Sequence, residues 1–503
     1  MNRFGIERSE EQVSLPAAAG VSGANEEVPL VVDLDGTLIN GDTLVESVLS
    51  LIRHRPACVL MLPLWTLQGK ATLKANVAKQ FQLDAATLGY RRELVEYLQS
   101  ERARGRRLIL ATAAHESLAA HAAEHLKLFD EVFASTASVN LKGKTKRDKL
   151  VERFGLKGFD YIGDSKSDVP VWAACRIGHI AGSMDRLPGP ALAAGAQQGE
   201  VFANRRPRLK TWIRTMRPHQ WVKNLLVFLP TLLNHRMNPG VLKTLVLTFF
   251  AFSFVSSATY INNDLFDLAA DRQHPRKSKR PLASGELSVT WAIFLSVFLL
   301  ISGFSLGAVV GLPLEACLLG YLLLTTFYSS FLKGKPIIDV IALASLYTLR
   351  LYAGGVVSGS FVSAWLFQFS IFLFISLAFV KRYSEMRRLF HEGQEVAPGR
   401  NYRASDLSII SQAGLTAGLL GGLILALYVN GGEIQRLYPR HEMLWGLCPL
   451  FVYWITRVWL VAHRGNMNED PIVWAFKDRV SYIVGFLMFV SLLLATVKIG
   501  VLK

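Results

Sequence analysis

Two hydrophobic patterns divide this chain. Between Pro29 and Ala203, short apolar runs alternate with stretches whose apolar residues recur every three or four positions, as in a parallel sheet covered by helices. The expected strands are Leu30–Leu34, Arg107–Ala111, Glu131–Ala134, Phe159–Ile162 and Ile177–Ile180. A helical pattern of roughly sixty residues separates the first two, too long for a simple crossover. From Trp221 onward the apolar runs lengthen to roughly twenty residues, enough to cross a bilayer as a helix. Nine spans are expected, centred near Leu226, Phe252, Val297, Leu322, Ala344, Phe372, Leu419, Val452 and Met488. The first is the weakest and is expected to begin as an interfacial helix, because Arg217, His219 and Lys223 crowd its start.

The fold class that follows is multidomain: a soluble α/β domain, then an all-α membrane bundle of nine helices. Residues 1–28 read as a disordered tail, acidic and without the apolar core of a secretory signal. Residues 29–203 form the soluble domain, with a helical insertion over about 40–104. Residues 204–217 are a linker rich in Arg, Lys and Pro, and 218–503 the membrane domain.

The net charge of +16 raises the question of nucleic acid. However, Lys and Arg gather between apolar spans and not along one stripe, which is membrane topology, so no nucleic-acid partner is expected. The loops after the second, fourth, sixth and eighth spans carry about seventeen Lys and Arg, against about four in the others. That asymmetry places the soluble domain in the cytoplasm of a multi-pass cell-membrane protein. Cys58, Cys175, Cys317 and Cys448 have neither metal-ligand spacing nor the look of a disulfide framework.

Two acidic clusters carry the chemistry. In the soluble domain, Asp33 and Asp35 stand two residues apart as the first strand ends, so alternation aims both to one side. Thr112 ends the second strand, Lys142, Lys144 and Lys146 crowd a third position, and Asp164 with Asp168 follows another strand. All lie at carboxyl ends of strands, where open parallel sheets gather ligands. In the membrane domain, Asn263, Asp267 and Asp271 are spaced four apart and so share one helix face where an apolar span ends. Carboxylates there are costly and seldom kept without a use. Lys277 and Arg280 follow, and acids with bases in this order suit a cation and the phosphates it neutralises.

In order and residue type, the soluble motifs resemble the haloacid dehalogenase superfamily of phosphohydrolases. That resemblance implies that Asp33 attacks phosphorus and that Asp35 protonates the leaving oxygen and then activates water. It implies that Thr112 and a lysine bind phosphoryl oxygens, and that Asp164, Asp33 and Asp168 hold Mg²⁺. Lys146, three residues after Gly143, fits the family's placement; Lys144 is the alternative. The insertion matches a helical cap. Within it, the run from Ala57 to Trp65 is apolar without a polar face and reads either as cap core or as a bilayer-surface contact.

Asn263–Asp271 and the following His274–Gly285 resemble the first acidic motif of the UbiA superfamily of intramembrane prenyltransferases. The resemblance implies a Mg²⁺-diphosphate donor held by Asn263, Asp267 and Asp271, with Lys277 and Arg280 offsetting charge on departing pyrophosphate. The second acidic motif of that superfamily is altered: Lys381-Arg382-Tyr383-Ser384-Glu385 leaves one acid, Glu385, beside two cations. Together with Arg217–Asn224, which includes Lys223, and with Tyr328, Lys333 and Asp339, it resembles the polyprenyl-phosphate phosphoribosyltransferases, decaprenyl-phosphate phosphoribosyltransferase among them. This branch implies phosphoribosyl pyrophosphate as donor and polyprenyl phosphate as acceptor, with Lys381 and Arg382 clamping a phosphate. The fused phosphatase would then remove the 5-phosphate. The competing expectation is prenyl transfer from a polyprenyl diphosphate to an aromatic acceptor, the first domain being an independent phosphatase or a regulatory module. Oligomeric state is not legible.

Overall fold

The computed structural model describes residues 28–496, apart from 137, 183, 204–206, 235–236, 361, 392, 394–399, 433, 435–437 and 468–469. The expected tail thus lies outside the described residues except for Val28. The chain divides into two compact units, Met1–Arg206 and Pro207–Lys503.

The first unit holds six parallel strands: β1 (Leu30–Val32), β2 (Leu108–His115), β3 (Glu131–Ser135), β4 (Asp160–Gly163), β5 (Ile177–Gly182) and β6 (Gln197–Ala203). Their order across the sheet is β3-β2-β1-β4-β5-β6. Alternation sorts their side chains: Leu30, Val32, Leu108 and Leu110 pack on one face, Val31, Ile109 and Tyr161 on the other. Full burial of each such aliphatic side chain contributes roughly 1.5–3 kcal/mol. The strand β6 was not expected; its Gln-Gln-Gly-Glu opening is polar because it lies at the sheet edge, paired only with β5. The insertion is helical, with helices at Thr43–His54, Leu62–Leu67, Lys70–Gln80 and Arg92–Ala103, the first capped by Asp42 through the N–H groups of Leu44 and Val45.

In the second unit, eight helices are long and apolar enough to cross a membrane: Pro239–Phe266, Val289–Val310, Leu312–Leu332, Ile338–Val357, Ala364–His391, Ala404–Val429, His441–His463 and Arg479–Thr496. They coincide with the second to ninth expected spans. The stretch around Leu226 is built differently, as a 3₁₀ segment Pro218–Phe228 followed by the short helix Leu229–Leu233. It still runs antiparallel to the second span. Trp221 Nε1 donates to Ser257 Oγ at 2.9 Å, Asn224 Nδ2 to Ser253 Oγ at 3.0 Å, and the Phe228 ring meets that of Phe249 at 6.3 Å. This segment is closely packed. A Cβ on Gly354 of the fifth span would lie 1.9 Å from the Val227 carbonyl, so only glycine lets the two backbones meet. Most of the expected linker is also helical, over Leu209–Met216.

Candidate functional sites

Strand β1 is where the sheet order reverses, and the crevice beyond its carboxyl end is where such a sheet receives ligands. Asp33 follows β1 directly, its N–H donating to the Ile162 carbonyl of β4 at 3.0 Å; Asp164 follows β4. Between them the chain turns at Gly36, with φ +75°, where a Cβ would stand 2.2 Å from Asp164 Oδ2. One oxygen each of Asp33, Asp164 and Asp168 lie within 4.8 Å of one another.

Lys146 reaches into this cluster from the first turns of the helix Lys144–Phe154. Its Nζ is 2.9 Å from Asp33 Oδ1 and 3.6 Å from Asp168 Oδ1, and it donates to the Tyr161 hydroxyl at 2.9 Å. That hydroxyl donates to Asp168 Oδ1 at 2.7 Å. Lys142 and Lys144 are exposed, so of the expected lysines Lys146 is the one that meets the acids. Burial pushes Asp33 up to about 6 although Lys146 pulls it back, and burial with the charges of Asp168 and Asp33 pushes Asp164 up to about 8. Asp35 is raised to about 7 by burial and by Asp42, while its Oδ1 accepts the Thr43 N–H at 2.8 Å. Thr112 is fully buried, and its hydroxyl accepts from the Ala114 N–H at 3.0 Å; β2 runs three residues past it. Crowded oxygen donors with raised acids around a single lysine have too little positive charge, and they fit a hard divalent cation.

Two partners were missed by sequence. Tyr161 looks like any strand aromatic until its hydroxyl is seen joining Lys146 to Asp168. Lys74, from the insertion helix Lys70–Gln80, donates to the Ala113 carbonyl at 2.5 Å, and Asp35, Asp42 and Asp33 act on its charge. The Ala57–Trp65 run divides: Trp65 is buried with Leu51 and Val77, and Cys58 and Leu62 pack against that cluster as cap core, whereas Leu60 and Leu64 are exposed, as is Leu67 beyond it.

In the membrane unit the acidic ridge keeps its register although the helix breaks at Asp267. The Asp267 N–H donates to the Asn263 carbonyl at 2.9 Å and the Asp271 N–H to the Asp267 carbonyl at 2.8 Å. Every ridge carboxylate meets a cation. Lys333 Nζ is 3.3 Å from Asp267; Arg280 is 2.5 Å and Lys277 3.6 Å from Asp271. Arg280 also reaches Asp264 at 3.0 Å, which Arg217 holds at 2.6 Å. A cavity of about 470 Å³ opens beside Asp264, lined by Arg214, Arg217, His219, Arg276 and Lys279. The hard oxygen donors, already beside cations, fit a divalent ion that arrives with an anion better than a bare one.

The altered second motif separates into two parts. Lys381 Nζ is 3.2 Å from Asp470 Oδ2, and the buried Lys223 holds the same oxygen at 2.8 Å. The Tyr347 hydroxyl donates to it at 3.1 Å. Asp470 gave no sequence signal, since it follows an unremarkable Asn-Glu pair; the two lysines hold it well below the usual carboxylate range despite its burial. Arg382, expected to clamp a phosphate, is paired inside the protein. Its side chain has no exposure, with Nε 2.7 Å from Asp339 Oδ2 and Nη1 2.6 Å from Glu385 Oε2. Nη2 donates to the Tyr328 hydroxyl at 3.4 Å. Arg400 also reaches Glu385, at 3.2 Å, and Tyr402 donates to Asp339 at 2.6 Å. A guanidinium so enclosed ties the fifth and sixth spans together and leaves no edge for a ligand.

Residues 30–172 match the haloacid dehalogenase-like hydrolase family and residues 225–464 the UbiA prenyltransferase family. An uncharacterized protein, y4nM, of Sinorhizobium fredii is 34% identical over 476 residues, covering 94% of this chain and 92% of that one. A decaprenyl-phosphate phosphoribosyltransferase of Mycobacterium tuberculosis is 28% identical over 296 residues, 57% of this chain and 94% of that one. Among solved structures, a UbiA homolog from Archaeoglobus fulgidus bound to GPP and Mg²⁺ matches with a TM-score of 0.44 at 20% identity, over 56% of this chain and 99% of that one.

Proposed function

The chain belongs to the UbiA prenyltransferase family, carrying a haloacid dehalogenase-like hydrolase domain ahead of a multi-pass membrane transferase, and on that footing we propose a two-step activity. The membrane half transfers a phosphoribosyl group from phosphoribosyl pyrophosphate to the phosphate of a polyprenyl phosphate, and the soluble half, facing the cytoplasm, removes the 5-phosphate. The observation that carries this reading is the replacement of a second acidic pair by Lys381, which with Lys223 surrounds Asp470 and favours an anionic acceptor. The resemblance to a decaprenyl-phosphate phosphoribosyltransferase over 94% of that protein supports it.

In the transfer, the bond from the anomeric carbon to pyrophosphate breaks and a bond to an oxygen of the lipid phosphate forms. Asn263, Asp267 and Asp271 would hold Mg²⁺, which supplies charge neutralisation of the leaving diphosphate. Lys277, Arg280 and Lys333 exchange their carboxylate partners for diphosphate oxygens. No strong base is needed, because a phosphate monoester is already largely ionised near neutral pH. In the hydrolase, Asp33, Asp164 and Asp168 would hold the ion. Asp33 attacks phosphorus as the bond to the sugar oxygen breaks, and Asp35, raised to about 7, gives that oxygen its proton; Asp35, now ionised, then takes a proton from the water that splits the aspartyl-phosphate and releases phosphate. Lys146 and Thr112 orient the phosphoryl oxygens.

The test is to incubate purified protein with polyprenyl phosphate, Mg²⁺ and phosphoribosyl pyrophosphate and to follow lipid mass. Wild type yields a lipid-linked ribose, and Asp33→Asn accumulates its 5-phosphate form. Absence of any ribosylated lipid, with prenylation of an aromatic acceptor instead, overturns the reading.

A further inference from the structure

The apolar run of the cap belongs to neither site, yet the fold builds it into a defined face. Pro56–Met61 forms a 3₁₀ segment and Leu62–Leu67 a short helix, with no charged, hydroxyl or amide side chain from Pro56 to Trp65. Its inner side is anchored: Trp65 is buried with Leu51 and Val77, and Cys58 and Leu62 pack against them. Its outer side stays open. Leu60 and Leu67 are each 86% exposed, and Val59, Met61 and Leu64 are exposed with them. The other large apolar residues exposed on this unit (Val132, Val139, Leu156, Leu192 and Val201) come singly along the chain, as is ordinary for a soluble surface. Five between Val59 and Leu67 make a patch.

Charge and tether identify the occupant. Positions 47–83 carry five Lys and Arg and no Asp or Glu, whereas the rest of 29–203 carries seventeen against nineteen. Arg53 and Arg55, both exposed, stand immediately before the face. Arg55 Nη1 donates to Gln80 Oε1 at 2.5 Å, which sets the exposed Lys79 at the same edge. Aliphatic side chains with basic neighbours and no acids suit a segment lying in the surface of an anionic bilayer. A second copy of this chain would bring the same basic edge against itself, which charge repulsion opposes. Lipid is also at hand. Residues 204–208 alone separate β6 from the helix Leu209–Met216 of the unit that carries the eight spans, so face and bilayer are held at high effective concentration.

We infer that the Val59–Leu67 face docks on an anionic lipid surface, its aliphatic side chains entering the acyl boundary while Arg53, Arg55 and Lys79 meet lipid phosphates. The hydrolase then works at the membrane surface, on a phosphate ester that is itself anchored in lipid. That last step rests on the reading above, whereas the docking rests on the face alone. Both helices beside the face lead to the catalytic crevice. Thr43, which opens Thr43–His54, donates its N–H to Asp35, and Lys74 of Lys70–Gln80 reaches the carbonyl of Ala113, one residue past Thr112. Val77 of that second helix is buried with Trp65 behind the face, so a docked cap is continuous with the site it covers.

The experiment uses the full chain reconstituted in vesicles, with Leu60→Cys labelled by bimane and with Cys58→Ser and Cys448→Ser, since Cys175 and Cys317 are buried. Bromine on the lipid tails quenches the label only where the two touch. The Leu60 label is expected to be quenched in vesicles rich in phosphatidylglycerol, less in phosphatidylcholine, and less again when salt screens the basic edge. The same label on Leu156→Cys, another exposed leucine of this unit, should not be quenched. Leu64→Glu with Leu67→Glu should abolish the quenching and slow phosphate release from farnesyl-phosphoryl ribose 5-phosphate by roughly tenfold. Release from soluble ribose 5-phosphate should stay within about twofold. A Leu60 label no more quenched than the Leu156 label overturns the inference. So does a label shielded from water yet untouched by bromine, which marks a protein against the face. Should the labelled chain fail to fold, the unlabelled glutamate variant decides alone: equal losses on both substrates, or none on either, overturn the docking. Failure of ribosyl transfer beside a quenched label removes the phosphoribosyl reading and not the docking. An unquenched label beside normal transfer removes the docking and not that reading.

Discussion

Aspartate does opposite things in the two halves of this molecule. In the soluble half, Asp33, Asp164 and Asp168 gather around the buried Lys146, and Asp33, Asp35 and Asp164 hold protons to about 6, about 7 and about 8. In the membrane half, Asp264, Asp267 and Asp271 face Arg217, Arg280, Lys277 and Lys333. The first cluster has too little positive charge and the second has cations to spare. One therefore fits a bare divalent ion and the other an ion delivered with its anion. Acidic motifs that look alike in sequence become different sites because of the bases that folding brings beside them.

The comparison is broken most directly by cutting each site separately. Asp33→Asn is expected to lower phosphate release by roughly 10³-fold or more, the order seen when a covalent nucleophile is removed. Lipid transfer, measured by product mass, should stay within about twofold. Asp267→Asn is expected to do the reverse. Loss of one preorganised electrostatic partner of the transition state costs roughly 10²–10³-fold in transfer, with phosphate release from a soluble phosphomonoester unchanged. Parallel losses in both assays would mean that the sites are not separate.

What was legible in the sequence follows from the range over which each signal acts. The strands β1 to β5 and the eight long spans could be read because their apolar runs are local and uninterrupted. Polar β6 could not, since an edge strand need be apolar on neither end. The apolar stretch around Leu226 was located but not its 3₁₀ form; its backbone packs at Val227 against Gly354, more than a hundred residues away. Asp33 and Asp267 stood out through spacing within one element. By contrast, Tyr161, Lys74 and Asp470 act through partners from other elements, and nothing in their own neighbourhood announces that. Arg382 shows the same limit: a cation beside a motif reads as a ligand group, and its pairing with Asp339 of another span is not visible there.

Arg382 thus sharpens the contrast between cations that hold a ligand and cations that hold the fold. Removing one partner of a buried pair leaves an uncompensated charge and costs about 3–5 kcal/mol. Arg382→Gln should therefore lower the unfolding temperature of the full chain substantially, and adding Asp339→Asn should recover part of the loss. A variant that unfolds normally but transfers poorly would return Arg382 to the ligand.

The cation deficit of the soluble site also predicts how pH and Mg²⁺ interact. Unfolded aspartates titrate near 3.8, whereas Asp33 and Asp164 in the fold titrate near 6 and 8. Their proton-linked stability is complete below about 3.8 and is lost as pH rises through both folded values. A divalent ion replaces those protons, so its effect should grow with pH. At a hundredfold excess over Kd it should stabilise the unit by about 2.7 kcal/mol near pH 8.5 and scarcely at pH 5.5. Calorimetry of the full chain with Mg²⁺ or EDTA reads the difference. A constant Mg²⁺ effect across this range would show that the acids are not the ligands.

The smallest expected effect tests which lysine of the helix Lys144–Phe154 brings positive charge to the soluble site. Lys144 and Lys146 share a helix turn, but two residues on a helix point about 200° apart, so only one can face the acids. Lys146 is buried against Asp33, whereas Lys144 lies in solvent, where water screens its charge. Lys144→Ala should therefore change phosphate release by less than about twofold, since exposed charges of this kind contribute little. Lys146→Ala in the same assay should fall by orders of magnitude, because Asp33 would lose the one ammonium that, among the described residues, is paired with it. A larger loss for Lys144→Ala would mean that the helix turns its other face to the substrate, and the charge count at the soluble site would have to include Lys144 as well.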